Sequence, residues 1–140
     1  MPETILLPVD LSSSASWEKA LPRARALAED GVLHVITVIP NFGASMVGNF
    51  FGEGWMERAL HEVGEKLTQW VNAHVPRGQE VHPHVMHGRI YDEIIRAAER
   101  LDVDTIVLGA PPADVADYLL GPNAARVVRH SRKSVFVVRG

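Results

Sequence analysis

The sequence predicts an α/β protein with one open sheet of five parallel strands in the order 3-2-1-4-5 and helices on both faces. Short apolar runs of strand length alternate four times with segments whose apolar residues recur at helical spacing, and a fifth apolar run follows. Such alternation requires right-handed crossovers, which leave few topologies. Pro83 interrupts the third run, and proline is tolerated mainly on edge strands. Because the third strand is an edge in the order 3-2-1-4-5, Pro83 favours that order.

The first strand and the first helix follow one another near the start of the sequence. The apolar run TILLPV, residues 4–9, is typical of a buried strand. In the polar stretch LSSSAS that follows, Ser14 or Ser16 is expected to cap a helix that continues to about residue 30. Pro22 lies inside that segment, so the helix is expected either to bend there or to begin late.

The other elements are predicted from the same two patterns. Further strands are expected at residues 32–39, 80–87, 104–109 and 134–139, and further helices at residues 56–73, 90–101 and 123–130. The longest helix carries large apolar side chains on one stripe, namely Leu60, Val63, Leu67, Trp70 and Val71. All elements fit one domain over residues 1–140, which is long enough to bury roughly two-thirds of the surface of the unfolded chain.

Composition and charge limit the classes of function. The chain is 46% hydrophobic and 22% charged, as ordinary globular proteins are. Its net charge of −3 gives no electrostatic basis for binding nucleic acid or an anionic membrane. Cysteine is absent, which excludes disulfides, thiol catalysis and thiolate metal sites. No apolar run approaches the roughly 20 residues of a membrane span, and MPETILLPVD lacks the basic start of a signal peptide, so a cytoplasmic protein is expected.

A ligand of such a sheet is expected beyond the carboxyl ends of strands one and four, where the strand order reverses. Those ends are Pro8, Val9 and Asp10 on one side and Gly109 on the other. The segment GAPPADVADYLLGPNAARVVRH begins at Gly109, and with Gly121 this glycine brackets a loop of the kind that surrounds a phosphate.

Five segments of the sequence occur in a characteristic order. They are ILLPVDLSSSASWEKALP, LHVITVIP, HGRIYDEIIRAAE, DTIVLGA and DYLLGPNAARVVRHSRKSVFVVR. Together they resemble the universal stress protein family over nearly the whole chain, and DYLLG-NAARVVRH is similar to its UspF/UspG-like branch. The resemblance implies the adenine nucleotide alpha hydrolase-like fold, a homodimer, and a cytoplasmic binding or signalling module of the stress response. It also implies a pocket for an adenine nucleotide, ATP or AMP, with no cofactor required.

The resemblance further implies where the nucleotide lies. Asp10 corresponds to the acid that meets the ribose, and the backbone near Val35 to the part of strand two that lies against adenine. The phosphates rest on the loop between Gly109 and Gly121. The residues expected to bind the nucleotide are Pro8, Val9, Asp10, Val35, Leu108, Gly109, Gly121, Asn123 and Ala124. No catalytic residue is implied, and a slow ATPase or phosphotransferase is the less favoured alternative.

The phosphate loop departs from the family pattern at prolines. Pro112 stands in place of the second glycine, and Pro122 stands in place of the hydroxyl residue before Asn-Ala-Ala. With Pro111 they remove three backbone N–H donors, while Asp114 and Asp117 add negative charge. Binding of a triphosphate is therefore expected to be weakened. The alternative is a stress protein that binds no nucleotide and acts only through protein partners.

Other residues of the site allow two interpretations. The backbone N–H groups of Asn123 and Ala124, the Asn123 amide and Arg126 one turn later are suited to a phosphate at a helix N-terminus. Alternatively, Pro122 only initiates the helix, and Asp10 only caps the turn after the first strand.

A histidine cluster is the sequence's one candidate for a metal site. Alternation places His82 and His84 on one face of the third strand, and His87 follows. The spacing supplies no third ligand, so a solvated strand edge without a bound metal is expected.

Two segments are candidate contacts with other protein chains. The glycine-rich, apolar loop from Asn41 to Met56 leaves strand two on the ligand side. It is expected to form a lid, a contact with a protein partner, or a loop packed on its own domain. The last strand is the other sheet edge, and antiparallel pairing of Val135 to Val138 between two copies would form a homodimer.

Overall fold

The computed structural model describes residues 2–40, 54–110 and 121–139. The strands are β1 (Thr4–Pro8), β2 (Val32–Pro40), β3 (Val81–Gly88), β4 (Thr105–Ala110) and β5 (Ser134–Arg139). The α-helices are α1 (Ala20–Leu27), α2 (Trp55–His74), α3 (Ile90–Arg100) and α4 (Gly121–His130), and a short 3-10 helix at Ser14–Ser16 precedes α1. No helix within these described ranges is long and apolar enough to cross a lipid bilayer.

The strands form one parallel sheet in the order β3-β2-β1-β4-β5, so the predicted fold class and strand order are confirmed. Pro83 lies on the edge strand β3 opposite Val35 of β2. An edge strand uses only one side for pairing, which is why proline is tolerated there. β1 is central, with β2 on one side and β4 on the other. The strand order reverses at β1, which places the predicted ligand-binding edge between β1 and β4.

Alternate residues of the central strands pack into two cores, one on each face of the sheet. Ile5 and Leu7 of β1 lie in the core that contains residues of α1 and α2, whereas Leu6 lies in the core that contains residues of α3 and α4. All three side chains are fully buried. Complete burial of such a side chain contributes roughly 1.5–3 kcal/mol relative to exposure. Packing on both faces therefore holds the carboxyl end of β1 in a defined position.

The first α-helix begins later than predicted. The structure has a 3-10 helix at Ser14–Ser16, and α1 begins only at Ala20. The predicted serine cap is wrong, because the Ser16 hydroxyl accepts a hydrogen bond from the backbone N–H of Asp10 at 3.0 Å instead of capping a helix. Pro22 is the third residue of α1, where a backbone N–H needs no partner within the helix. Of the two effects expected of this proline, the structure therefore shows the late start.

Candidate functional site

Asp10 follows β1 at the carboxyl edge of the sheet and is only 7% exposed. Its Oδ1 atom accepts hydrogen bonds from the backbone N–H of Ser12 at 3.0 Å and from the Ser12 hydroxyl at 2.6 Å. These bonds close the turn after β1, as the turn-capping interpretation of Asp10 predicts. Among the described residues, the hydrogen bonds to the Asp10 carboxylate both end on Oδ1.

Three adjoining cavities follow the carboxyl edge of the sheet, and we call them together the edge crevice. The first measures about 450 Å³ and is lined in part by Asp10, Ser12, Thr37, Val38, Ile39, Val63 and Lys66. The second measures about 20 Å³ and is lined in part by Pro8, Val9, Asp10, Thr37, Val38 and Ile90. The third measures about 350 Å³ and is lined by Pro40, Gly88, Arg89, Ile90 and Asn123. The first and third have volumes usual for small-molecule sites, whereas the second fits about one water molecule.

β2 lines the crevice with residues beyond Val35. Pro8 of β1 pairs with Ile36, and the residues of β2 that line the crevice run from Ile36 to Pro40. The Val35 side chain is fully buried in the core that contains residues of α1 and α2. Val35 itself is not among these lining residues, and the sequence did not indicate this because the strand register was unknown.

Gly109 is needed at the end of β4 because another part of the backbone approaches it closely. A Cβ atom at this position would lie 2.1 Å from the carbonyl oxygen of Ser16 in the 3-10 helix. The preceding Leu108 is fully buried in the core that contains residues of α3 and α4. The 3-10 helix thus packs directly on the end of β4, and this contact explains the glycine without reference to a phosphate.

The start of α4 is joined to the start of α3 by a side-chain hydrogen bond. The Oδ1 atom of Asn123 accepts a hydrogen bond from the backbone N–H of Tyr91 at 3.1 Å. Tyr91 is the second residue of α3, where backbone N–H groups have no partner within the helix. The structure therefore gives Asn123 a role in capping α3, in addition to its position on the wall of the crevice.

Gly121, Pro122 and Ala124 were also predicted to lie at or beside the phosphate loop, and the structure places all three in α4. α4 begins at Gly121, two residues earlier than predicted, and Pro122 is its second residue. Ala124 is 8% exposed and packs in the core that contains residues of α3 and α4. The prolines and aspartates at positions 111, 112, 114 and 117 lie outside the described residues, as does most of the predicted loop from Asn41 to Met56.

A group of aromatic and basic side chains lies at the same end of the molecule and was not predicted as a group. The guanidinium carbon of Arg126 lies 5.1 Å from the centre of the Tyr91 ring, and that of Arg89 lies 5.9 Å from it. An Nη1 atom of Arg89 also donates to the Tyr91 hydroxyl at 3.3 Å. The segment GRIYDE shows Arg89 and Tyr91 close together in sequence. The contact of Tyr91 with Arg126 of α4 is a tertiary contact that no local pattern indicates.

The histidine cluster contains a member that the sequence analysis missed. Nδ1 of His34 on β2 lies 2.9 Å from Nε2 of His84 on β3. Burial, followed by the neighbouring His84 and His82, lowers the pKa of His34 to about 4, and burial also lowers the pKa of His84. His82 pairs with Glu80 at 2.8 Å. Within the described ranges, no group of three or more histidine, aspartate or glutamate side chains is arranged to hold a metal ion.

Comparison of the sequence with models of protein families shows to which family the chain belongs. Residues 1–139 match the model described as the universal stress protein family. The chain belongs to the universal stress protein family. The resemblance predicted from its sequence segments is thereby confirmed.

Known universal stress proteins and solved structures agree with this membership. Universal stress protein G of Escherichia coli O157:H7 is 33% identical over 142 residues, which cover 99% of this chain and 100% of that protein. The protein MJ0577 is 26% identical with a TM-score of 0.76, covering 100% of this chain and 97% of that one. The universal stress protein from Archaeoglobus fulgidus in complex with dAMP is 22% identical with a TM-score of 0.66, covering 98% of this chain and 96% of that one. The last comparison shows a shared fold.

Proposed function

We propose that this universal stress protein is a cytoplasmic stress-response module that binds an adenine nucleotide, ATP or AMP, in the edge crevice. The observation that carries the proposal is the position of Asp10, which is buried where the strand order reverses and lines two of the three cavities. This is where ligands of open parallel sheets bind. The dAMP complex of the relative from Archaeoglobus fulgidus supports an adenine nucleotide as the class of ligand.

The first cavity suits the adenosine half of such a ligand. Val38, Ile39 and Val63 supply an apolar wall for a flat base. Asp10 supplies Oδ2 as an acceptor for a ribose hydroxyl, while Oδ1 remains bonded in the turn. The lining also contains Ser12, Thr37 and Lys66, and an apolar wall with a few polar groups is the usual composition of a small-molecule site. We therefore assign most of the binding free energy to adenosine.

The phosphate half is expected to contribute less than a glycine-rich loop would. Pro111, Pro112 and Pro122 lack backbone N–H groups, and each hydrogen bond to a charged group is worth about 1.5–3 kcal/mol. ATP should consequently bind no more than about tenfold more tightly than AMP, a difference of about 1.4 kcal/mol.

Titration calorimetry with adenosine, AMP and ATP tests the proposal. A double variant, Pro112→Gly with Pro122→Ser, should increase the preference for ATP over AMP because it supplies two donors and a hydroxyl. Mass spectrometry of the purified protein would identify a nucleotide that remained bound. If neither the wild type nor the double variant binds any adenine nucleotide, the proposal is wrong and the protein acts through protein partners.

The proposed activity is binding without turnover. Among the described residues that line the edge crevice, Asp10 is the sole carboxylate, and it is engaged in the turn through Oδ1. Hydrolysis of a phosphoanhydride requires a positioned water and usually a metal held by acidic groups. The described residues of the crevice contribute one carboxylate, which is fewer than such a metal site uses.

We also propose that the protein is a homodimer joined through β5. This strand is a sheet edge, and pairing of Val135 to Val138 with the same segment of a second copy would cover it. Phe136 is 37% exposed on this strand, which adds apolar surface to the edge. A partner contact through the loop from Asn41 to Met56 stays a prediction.

A further inference from the structure

Two arginines from different elements lie against one aromatic ring. Arg89 immediately precedes α3, and its Nη1 donates to the Tyr91 hydroxyl at 3.3 Å. Arg126 extends from α4, and its guanidinium carbon lies 5.1 Å from the centre of the Tyr91 ring. Both guanidinium groups therefore contact the same ring through cation–π interactions.

The acidic side chains nearest this pair in sequence form salt bridges with another arginine, although the hydrogen bond to Tyr91 and, after it, Asp92 raise the pKa of Arg89. Asp92 and Glu93, the acids closest in sequence, both pair with Arg96, at 3.1 Å and 4.0 Å. No salt bridge to Arg89 or Arg126 occurs within residues 2–40, 54–110 and 121–139. A guanidinium without a carboxylate partner can donate hydrogen bonds to the oxygens of an anion.

One member of the pair, Arg89, lies on the wall of the edge crevice. Arg89 lines the third cavity, of about 350 Å³, together with Asn123 and Ile90. Ile90 also lines the small middle cavity, which Asp10 borders. An adenosine bound at Asp10 would therefore have a cavity with an arginine on its wall next to it, in the direction of α4.

We infer that Arg89 and Arg126, positioned by Tyr91, bind the phosphate group that distinguishes AMP from adenosine. The inference rests on the proposed function and adds to it the residues that recognise the phosphate. A planar guanidinium can donate two parallel N–H bonds to phosphate oxygens, which makes arginine suited to this task. These donors belong to side chains, so the prolines of the loop do not remove them.

Calorimetry with AMP and adenosine at two salt concentrations tests the inference. Arg89→Gln and Arg126→Gln should each weaken AMP binding by about tenfold or more and leave adenosine binding unchanged. Raising the salt concentration should weaken AMP binding by the wild type, because exposed charges are screened, and should have little effect on adenosine. Arg129→Gln removes the same charge from an exposed residue of α4 and should change neither affinity.

The results separate this inference from the proposed function. If the wild type binds adenosine but both arginine variants keep wild-type affinity for AMP, the inference is overturned and the proposed function stands. Equal affinity of the wild type for AMP and adenosine would likewise overturn the inference and leave the proposed function standing. If the wild type binds neither, both the proposed function and the inference are overturned. Unchanged adenosine binding by the variants also shows that they fold.

Discussion

The Oδ1 atom of Asn123 accepts the backbone N–H of Tyr91 at 3.1 Å, so one residue of α4 caps the start of α3. The two residues are 32 positions apart in sequence. The bond satisfies a donor at a helix N-terminus and fixes α3 against α4. It also holds Tyr91, which contacts both Arg89 and Arg126. A contact that caps a helix therefore also shapes one side of the edge crevice.

Replacing Asn123 with Ala should lower the free energy of unfolding by about 0.5–2 kcal/mol, the range for loss of a helix cap. Urea denaturation monitored by circular dichroism measures the change. Asn123→Asp is the control, because it keeps an acceptor oxygen and places negative charge near the start of α3, which favours it. Equal losses in the two variants would show that the cap is not the reason for the effect.

Replacing Gly109 with Ala should destabilise the protein by about 1–3 kcal/mol or more, as overpacking does. The added Cβ would lie 2.1 Å from the Ser16 carbonyl oxygen, which belongs to the backbone and cannot rotate away. Gly78→Ala is the matched control, since no heavy atom lies within 4 Å of a Cβ there. Thermal and urea unfolding of both variants would test this, and a Gly109→Ala protein as stable as Gly78→Ala would contradict the close approach.

Stability should fall as the pH is lowered from about 6.5 towards 4. The pKa of His34 is lowered from 6.5 to about 4 in the folded protein, first by burial and then by His84 and His82, while Glu80 opposes the shift. In that interval the unfolded chain binds a proton that the folded protein does not, so acid favours unfolding. After allowance for partial exposure, we expect a loss of about 1–2 kcal/mol.

Urea unfolding of the wild type and of His34→Gln at several pH values measures this dependence. The variant should lose part of the decrease between pH 6.5 and 4, because the titrating imidazole is gone. An identical pH dependence in His34→Gln and the wild type would assign the effect to other groups.

Replacing Val137 with Lys should shift the proposed homodimer towards monomer. β5 is a sheet edge, and a lysine on it places a charge within the strand that would pair with its copy. Val128→Lys makes the same change at a valine of α4 that is 51% exposed, and it should leave the assembly intact. Light scattering after gel filtration gives the mass of each variant. An unchanged dimer in Val137→Lys would place the interface elsewhere.

Periodicity and proline placement were sufficient to predict the fold. The alternation of apolar runs with helical stripes predicts the elements, because the side-chain period differs between strand and helix. Pro83 indicates the edge, since a proline lacks the N–H that a central strand needs. The candidate ligand site at Asp10, just after β1, then follows from the general position of ligand sites in open sheets. These signals are local, or depend on rules that hold for every parallel sheet.

The contacts that form the site were decided by the tertiary structure. The Ser16 hydroxyl accepts a hydrogen bond from the backbone N–H of Asp10 instead of capping a helix, and the Ser16 carbonyl oxygen closely approaches Gly109 of β4. Both contacts depend on the path of the chain after β1.

Strand register brings His34 to His84, and it places Ile36 and Thr37 rather than Val35 on the wall of the crevice. Packing of α4 on α3 brings Arg126 to the Tyr91 ring. Such pairs are separated by whole crossovers, and a local pattern contains no information about which residues two packed elements bring into contact.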